Sequence, residues 1–232
     1  MYQISNITKN VSSKKILNNI SMQIYPGELT VVVGENGAGK STLLKILALL
    51  EKPSSGNVIV DEINTLKSSN KVKPHLGVLA HKSFLYENLT VYENLEFYGQ
   101  LYRINNLKER IYELISDVGL ELVLHEPVYI LSRGMQQRLA IARALIHDPS
   151  YVLLDEPQTG LDQDAVEILY NLLGNLKEEG KGIVVVTHHF DNLIELCDKL
   201  LVLKKGQQVY YEHVSISPTK AKEIYMSLAA RR

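Results

Sequence analysis

A single cysteine, Cys197, is all the thiol chemistry in 232 residues, so an internal disulfide is excluded and a reducing compartment is expected. It closes the apolar-periodic stretch Leu193-Ile194-Glu195-Leu196-Cys197, where a packed core thiol is the natural reading. Charge of one sign is equally scarce: 25 Lys and Arg stand against 26 Asp and Glu, a formal net charge of −1. The two signs are interleaved, which gives no basic face for nucleic acid. No apolar run approaches the roughly 20 residues of a membrane span. Met1-Tyr2-Gln3-Ile4 does not have the charged-then-apolar layout of a signal peptide. Repeats, low-complexity tracts and long linkers are missing too. A chain soluble and cytosolic in itself is expected, and its 45% apolar content suffices for a substantial core in one domain.

Against that plain background stands Gly34-Glu35-Asn36-Gly37-Ala38-Gly39-Lys40-Ser41-Thr42, which fits the phosphate-binding pattern G-x-x-x-x-G-K-[ST]. The apolar run Leu29 to Val33 before it reads as a buried strand, and Leu43 to Leu50 after it as a buried helix. Glycines let backbone N–H groups turn towards phosphate oxygens, and the new helix points its positive dipole end at them. Lys40 can then reach the β- and γ-phosphates of a nucleotide, and the Ser41 hydroxyl can ligate Mg2+. A glycine-rich strand-to-helix turn with no ligand is the bland alternative.

Short strands and turns fill the first third of the chain: Ile16 to Ile24, the turn Tyr25-Pro26-Gly27-Glu28, then Asn57 to Asp61 after Pro53-Ser54-Ser55-Gly56. From Thr90 to Ala144 the pattern is helical, with Leu107, Ile111, Leu114, Ile115 and Val118 on one buried face. Tyr151 to Leu154 and Ile183 to Val186 are continuous apolar strands, as expected where helices cover both faces of a parallel sheet. A helical insertion thus interrupts an α/β core.

Two sets of residues add chemistry. The strand Tyr151 to Leu154 delivers Asp155 and Glu156 at its C-terminal end, where open α/β sheets bind ligands. Asp155 is placed to hold Mg2+ beside Ser41, and Glu156 to act as base for an attacking water. Both acids could instead serve only the turn at Pro157. Leu131-Ser132-Arg133-Gly134-Met135-Gln136-Gln137-Arg138 precedes an apolar helix. Ser132 there is either an ordinary N-cap or part of a second anion site.

Taken in order, the phosphate loop, the helical insertion, Leu131-Ser132 with Gly134, the strand ending Asp155-Glu156, then Gly160-Leu161-Asp162 and Thr187-His188 resemble an ABC transporter ATPase. The resemblance spans essentially the whole chain. It implies an α/β fold: a P-loop NTPase (RecA-like) core with an antiparallel β-subdomain and an inserted α-helical subdomain. Residues 1–85 and 145–232 would form the β-lobe and core, and 86–144 the helical subdomain. It further implies a head-to-tail pair, either a homodimer or a pairing with a similar ATPase, around two molecules of ATP with Mg2+. Each phosphate loop would face the other subunit's signature, Ser132, Arg133, Gly134, Met135 and Gln136, and Asp162 would lie in the loop that crosses the dimer. His188 becomes the switch histidine of a catalytic set with Glu156 and Lys40, while His189 reads as a solvated residue at a helix start. Such subunits sit on the inner face of the cell membrane against transmembrane partners. The aromatic stretch from Ser83 to Tyr98 (Phe84, Tyr86, Tyr92, Phe97, Tyr98) offers them a contact surface, with some rings packing the lobe.

Three departures stand out. Val11 occupies the place of the usual adenine-stacking ring, so the base should be held by weaker apolar contact unless Tyr2 or Tyr25 supplies a platform. His81 stands where a glutamine is usual and can still meet Mg2+-bound water. Arg133 and Met135 replace a commoner glycine and glutamine, and the backbone donors survive. His81, Phe84 to Thr90, Glu93-Asn94-Leu95 and Ser132 to Arg138 look most like the ATPase of the cytochrome c maturation heme-export system. Multidrug or polysaccharide exporters and soluble iron–sulfur assembly ATPases are the alternatives. The heme-attachment pattern C-x-x-C-H is absent.

Overall fold

The structure, a computed structural model, describes residues 1–188 and 193–213 together with Glu223 and Ser227. His189 therefore lies outside the described residues. The chain opens with a hairpin, β1 (Tyr2–Val11) and β2 (Lys14–Ile24), turning at Ser12 with φ +53. Then come β3 (Leu29–Gly34), α1 (Lys40–Leu47), β4 (Ser55–Val60), β5 (Ile63–Asn64), α2 (Thr65–Val72) and β6 (Leu76–Leu79). Helices α3 (Val91–Leu101), α4 (Leu107–Asp117) and α5 (Arg133–Leu145) follow. The alternation resumes with β7 (Tyr151–Asp155), α6 (Gln163–Glu178), β8 (Gly182–Val186), β9 (Lys199–Lys204) and β10 (Gln207–His213).

The strands form one curled sheet in the order β5-β4-β1-β2-β10-β9-β3-β8-β7-β6. Strands β9, β3, β8, β7 and β6 run parallel, and β5, β4, β1 and β2 pair antiparallel. β10 joins the two parts, antiparallel to β9 and touching β2 at Gln207 and Asn18. The central strands are buried on both faces because their side chains alternate. Val31, Val152, Leu154, Ile183 and Val185 enter one core with α3 to α6. Val32, Leu153, Val184 and Val186 enter a second with α1 and the antiparallel strands. Cys197 is packed in the first core, its thiol donating to the Lys199 carbonyl at 3.1 Å, and burial pushes it up to about 12. Among the described residues no helix is long and apolar enough to cross a membrane.

Two local details set the site's frame. The loop helix is shorter than the apolar run Leu43 to Leu50 suggests: it starts at Lys40 and stops at Leu47, leaving Leu50 61% exposed. Leu49 turns left-handed at φ +55, with its N–H on the Ile46 carbonyl and the Leu50 N–H on that of Lys45. This is a Schellman ending, made without the glycine that usually announces it. Helix α3 begins with a capping box, since Thr90 Oγ1 accepts from the Glu93 N–H and Glu93 accepts from the Thr90 N–H. Behind it the fully buried Asn94 accepts from the Tyr86 N–H at 2.8 Å and donates to the Tyr86 and Thr90 carbonyls. One amide thus fastens the aromatic segment to the helical lobe.

Candidate active site

Sheet register assembles the site. β8 lies between β3 and β7, pairing Val186 with Val32 on one side and with Asp155 on the other, while Leu79 of β6 pairs with Leu154. The C-terminal ends of four parallel strands therefore present the phosphate loop, Thr187-His188, Asp155-Glu156 and Ala80-His81 side by side, at the edge where such sheets bind ligands.

The loop itself is built for an anion. Gly37 has φ +80 with open space where a Cβ would stand. At Gly39, φ is +103 and a Cβ would come within 2.6 Å of Leu17 and 3.0 Å of the Ile16 carbonyl oxygen, so β2 packs directly on the loop. No side chain caps α1 and no acid sits in its first turn, which leaves its N-terminal amides and dipole to a ligand. Lys40, buried at 7% exposure, folds back over the loop and donates to the Gly34 and Glu35 carbonyls at 2.8 and 3.2 Å.

Ser41 and Asp155 meet beside it. Burial raises the Asp155 carboxyl above its ordinary range, the Ser41 hydroxyl bonded to it pulls the other way, and the Glu156 charge adds to the rise. A carboxylate held in an unfavourable field is one that a cation would relieve. One hydroxyl and one carboxylate suit Mg2+, which keeps waters and phosphate oxygens as its remaining ligands. Among the described residues no group of three His, Cys, Asp or Glu side chains gathers into a larger metal cage. Ser41, Asp155, Glu156, His81, Leu44 and Lys45 line a cleft of about 510 Å3, which fits a nucleotide's phosphates and their metal.

Glu156 ends the strand in the left-handed region at φ +48, a conformation costing a non-glycine residue about 1–2 kcal/mol. Its carboxylate is fully engaged. Oε1 lies 2.7 Å from His188 Nδ1, and Oε2 accepts from the Thr187 hydroxyl at 3.0 Å and the His188 N–H at 3.3 Å. An ionised carboxylate only accepts, so Nδ1 is the donor in this arrangement. Behind Thr187 the buried Gln158 amide donates to the same hydroxyl, which directs the hydroxyl proton onto Glu156. The motif reading had named Glu156 and His188. Gln158 carried no sequence signal, because its burial depends on a strand 29 residues away.

Other expected site residues stand elsewhere. Ser132 caps α5, accepting from the Met135 N–H at 3.2 Å, and Gln136 donates to the Val128 and Leu131 carbonyls, both at 3.2 Å. Arg133 and Gly134 pack against Gly160 rather than against the phosphate loop. Asp162 caps α6 through the Ala165 N–H at 2.9 Å. Val11 is 49% exposed at the hairpin end. Neither alternative ring can serve as a base platform from where it lies: Tyr2 is buried with its hydroxyl on the Leu47 carbonyl, and the Tyr25 ring sits under Lys199, at the opposite edge of the sheet.

A second groove of about 250 Å3 adjoins the cleft and shares Ala48, Leu50, Val78, Ala80 and Phe84 with it. Of the aromatic stretch, Phe84 and Tyr86 are the most exposed, at 55% and 48%, and Tyr86 meets Phe97 edge-on with ring centres 4.9 Å apart. Tyr92 and Tyr98 pack against the core of the lobe. Arg143 donates to the Val78 carbonyl and His147 pairs with that of Leu76, so α5 and its C-terminal end cover the free edge of β6. Burial lowers His147 to about 4, which keeps it neutral against the stacked Tyr102 ring.

Residues 17–159, more than half of the chain, match the family model described as ABC transporter. The ABC transporter ATP-binding protein NatA of Bacillus subtilis (strain 168) is 39% identical over 199 residues, covering 84% of this chain and 81% of its own. Among solved structures, the dimeric ATP-binding cassette MJ0796, in a post-hydrolysis state bound to ADP and Pi, superposes with a TM-score of 0.84 at 32% identity. That match covers 94% of this chain and 100% of the other. CbiO1 from Clostridium perfringens, part of the ABC transporter complex cbiONQ, gives a TM-score of 0.82 at 29% identity over 99% of this chain and 94% of its own. The strand-edge geometry and these likenesses agree: the chain belongs to the ABC transporter family, as an ATP-binding subunit that hydrolyses ATP with Mg2+.

Proposed function

We propose that two copies of the chain, or one copy and a similar ATPase, close head to tail around two ATP molecules and drive transmembrane partners. The observation that carries this reading is the contrast between a Glu156–His188 pair joined at 2.7 Å at the strand edge and a Ser132 that lines neither cleft. Ser132, Arg133, Gly134, Met135 and Gln136 of a second copy would complete the γ-phosphate side through the α5 dipole and its backbone N–H groups. Asp162 would lie in the loop between copies.

In this reading Gly34 to Thr42 wrap the phosphates, and Lys40 exchanges its loop carbonyls for phosphate oxygens. Ser41 and Asp155, with His81 close by, would hold Mg2+, which would supply charge neutralisation on the transferring phosphoryl group. Glu156 takes the proton of the attacking water, oriented by Thr187 and by His188, the switch histidine of the γ-phosphate side. Adenine rests near Val11 by apolar contact. The second groove, at Leu50 and Phe84 with the exposed Tyr86 ring offered beside Phe97, receives a cytoplasmic segment of the membrane partner, which holds the subunit on the inner face of the cell membrane. For the cargo, heme export for cytochrome c biogenesis is supported by the resemblance at His81, Phe84 to Thr90 and Ser132 to Arg138. The relatives named above carry no such designation, so that reading rests on those residues.

The test is Glu156→Gln. Turnover should fall about 10²–10⁴-fold while ATP binding persists, and ATP should shift the variant from monomer to dimer in size-exclusion chromatography. Unchanged hydrolysis would remove Glu156 from its role, and a strictly monomeric ATP-bound variant would remove the pairing. Loss of membrane association in Tyr86→Glu tests the groove, and recovery only with soluble partners would overturn it.

A further inference from the structure

A left-handed turn at a non-glycine residue persists when its surroundings hold it, so the contacts around Glu156 show what the catalytic geometry depends on. Three come from the core. The Glu156 N–H donates to the Val186 carbonyl at 2.8 Å, the Thr159 N–H donates to the Glu156 carbonyl at 3.0 Å, and Thr187 with His188 holds the carboxylate. A fourth crosses from the helical lobe. The Gln137 side-chain amide, on α5, donates to the Pro157 carbonyl at 3.1 Å and reaches the Glu156 carbonyl at 3.5 Å. Close backbone packing adds to it, because a Cβ on Gly134 would stand 3.0 Å from the Gly160 carbonyl oxygen, in the turn that follows Glu156.

Gln137 lies on the same helix whose N-cap is Ser132, less than two turns away. A helix this short moves as one body. Whatever Ser132 meets at the helix N-terminus is thereby felt at the Glu156 turn through two carbonyl contacts. We propose that Gln137 is a positioning residue for Glu156, and that it makes hydrolysis in one site depend on the docking of the same chain's α5 against the nucleotide of the other. The inference rests on the head-to-tail reading above and on Glu156 as the water-activating group. Its chemical requirement is specific. Position 137 must donate, because both atoms it faces are carbonyl oxygens. Leucine fills a similar volume with no donor, lysine keeps a donor on a flexible stem, and glutamate brings an acceptor against acceptors.

Steady-state ATP hydrolysis by Gln137→Leu, Gln137→Lys and Gln137→Glu tests this, with Glu156→Gln as the control. Gln137→Leu should lose about 10-fold in kcat with the KM for ATP unchanged, Gln137→Glu more, and Gln137→Lys should recover most of the loss. The Hill coefficient for ATP should drop towards 1 in Gln137→Leu. A wild-type kcat in Gln137→Leu, or equal losses in Lys and Leu, overturns the positioning role in favour of packing. If Gln137→Leu fails to fold, the Lys and Glu pair decides: equal kcat values overturn the proposal, and an active Lys beside an impaired Glu supports it. A Hill coefficient that does not change overturns the link between sites. Should Glu156→Gln hydrolyse normally, the underlying reading of Glu156 fails. Should it be inactive while Gln137→Leu is normal, this inference alone fails.

Discussion

At the strand edge Glu156 reaches His188 and Thr187, and through Thr187 the Gln158 amide, within one chain, whereas at the start of α5 Ser132 and Gln136 bond within their own lobe. The first region is assembled by sheet register: β3, β8 and β7 are neighbours, so residues far apart in the chain meet without a ligand. The second is a helix end whose side-chain capacity is spent on ordinary capping while its dipole stays exposed. A centre assembled on one side and open on the other is what the head-to-tail reading proposed above requires. The lesson is that capping and anion binding are not rival roles for Ser132. A satisfied cap preorganises the helix end that, in the head-to-tail reading proposed above, a phosphate would meet.

The contrast is broken most severely by complementation. Gly134→Glu spoils the open helix end and Lys40→Ala spoils the loop, so each variant by itself should lose about 10²-fold or more in turnover. Mixing the two should restore ATP-driven pairing, because one intact site forms from the loop of one chain and the α5 end of the other, while turnover there stays below the wild-type rate because the spoiled α5 belongs to the chain whose Glu156 must act. No recovery of pairing in the mixture would mean that both elements act within one chain. Within the self-assembled region, Thr187→Val should lower kcat about 10-fold at constant KM for ATP, and Thr187→Ser should restore it. Equal loss in both would point to packing. If adenine rests on the exposed Val11 at the hairpin end, as proposed above, GTP should compete with ATP within a few-fold. A strong ATP preference in a competition assay would require a ring from elsewhere. The smallest effect concerns Asp155. Its carboxyl is raised in the folded state, so the ionised form costs stability at neutral pH, and that cost fades as pH falls through the raised value towards the ordinary one near 3.8. Asp155→Asn should therefore raise Tm slightly in Mg2+-free buffer at pH 8, with the gain shrinking as pH falls towards the ordinary carboxylate range. Calorimetry across that range checks the sign.

The phosphate loop, the strands around it, Asp155-Glu156 and the stretch Ser132 to Gln136 were legible because each needs particular residue types at short, fixed spacing. Glycines for positive φ, a β-branched run and an N-cap before an apolar helix are local facts. The contacts that finish the site were not legible. Gln158 is an unremarked polar residue in a turn until β8 places Thr187 beside it. Leu49 ends α1 in a conformation the sequence usually marks with glycine, so the helix reads too long. Tyr2 and Tyr25 looked equally eligible to stack on a base, and burial under α1 and pairing with Lys199 took both out of reach.

The order of motifs was enough to determine a nucleotide-binding α/β core with a helical insertion and an ATP-hydrolysing subunit that uses Mg2+. Local backbone preference and side-chain chemistry act over a few residues, and a sequence records them directly. The assignment of Glu156 to His188, the relay through Gln158, the bridge from Gln137 and the separation of Ser132 from the cleft came from tertiary structure. Those depend on which strands are neighbours and how a lobe docks, and both are settled by burying two apolar cores across one sheet.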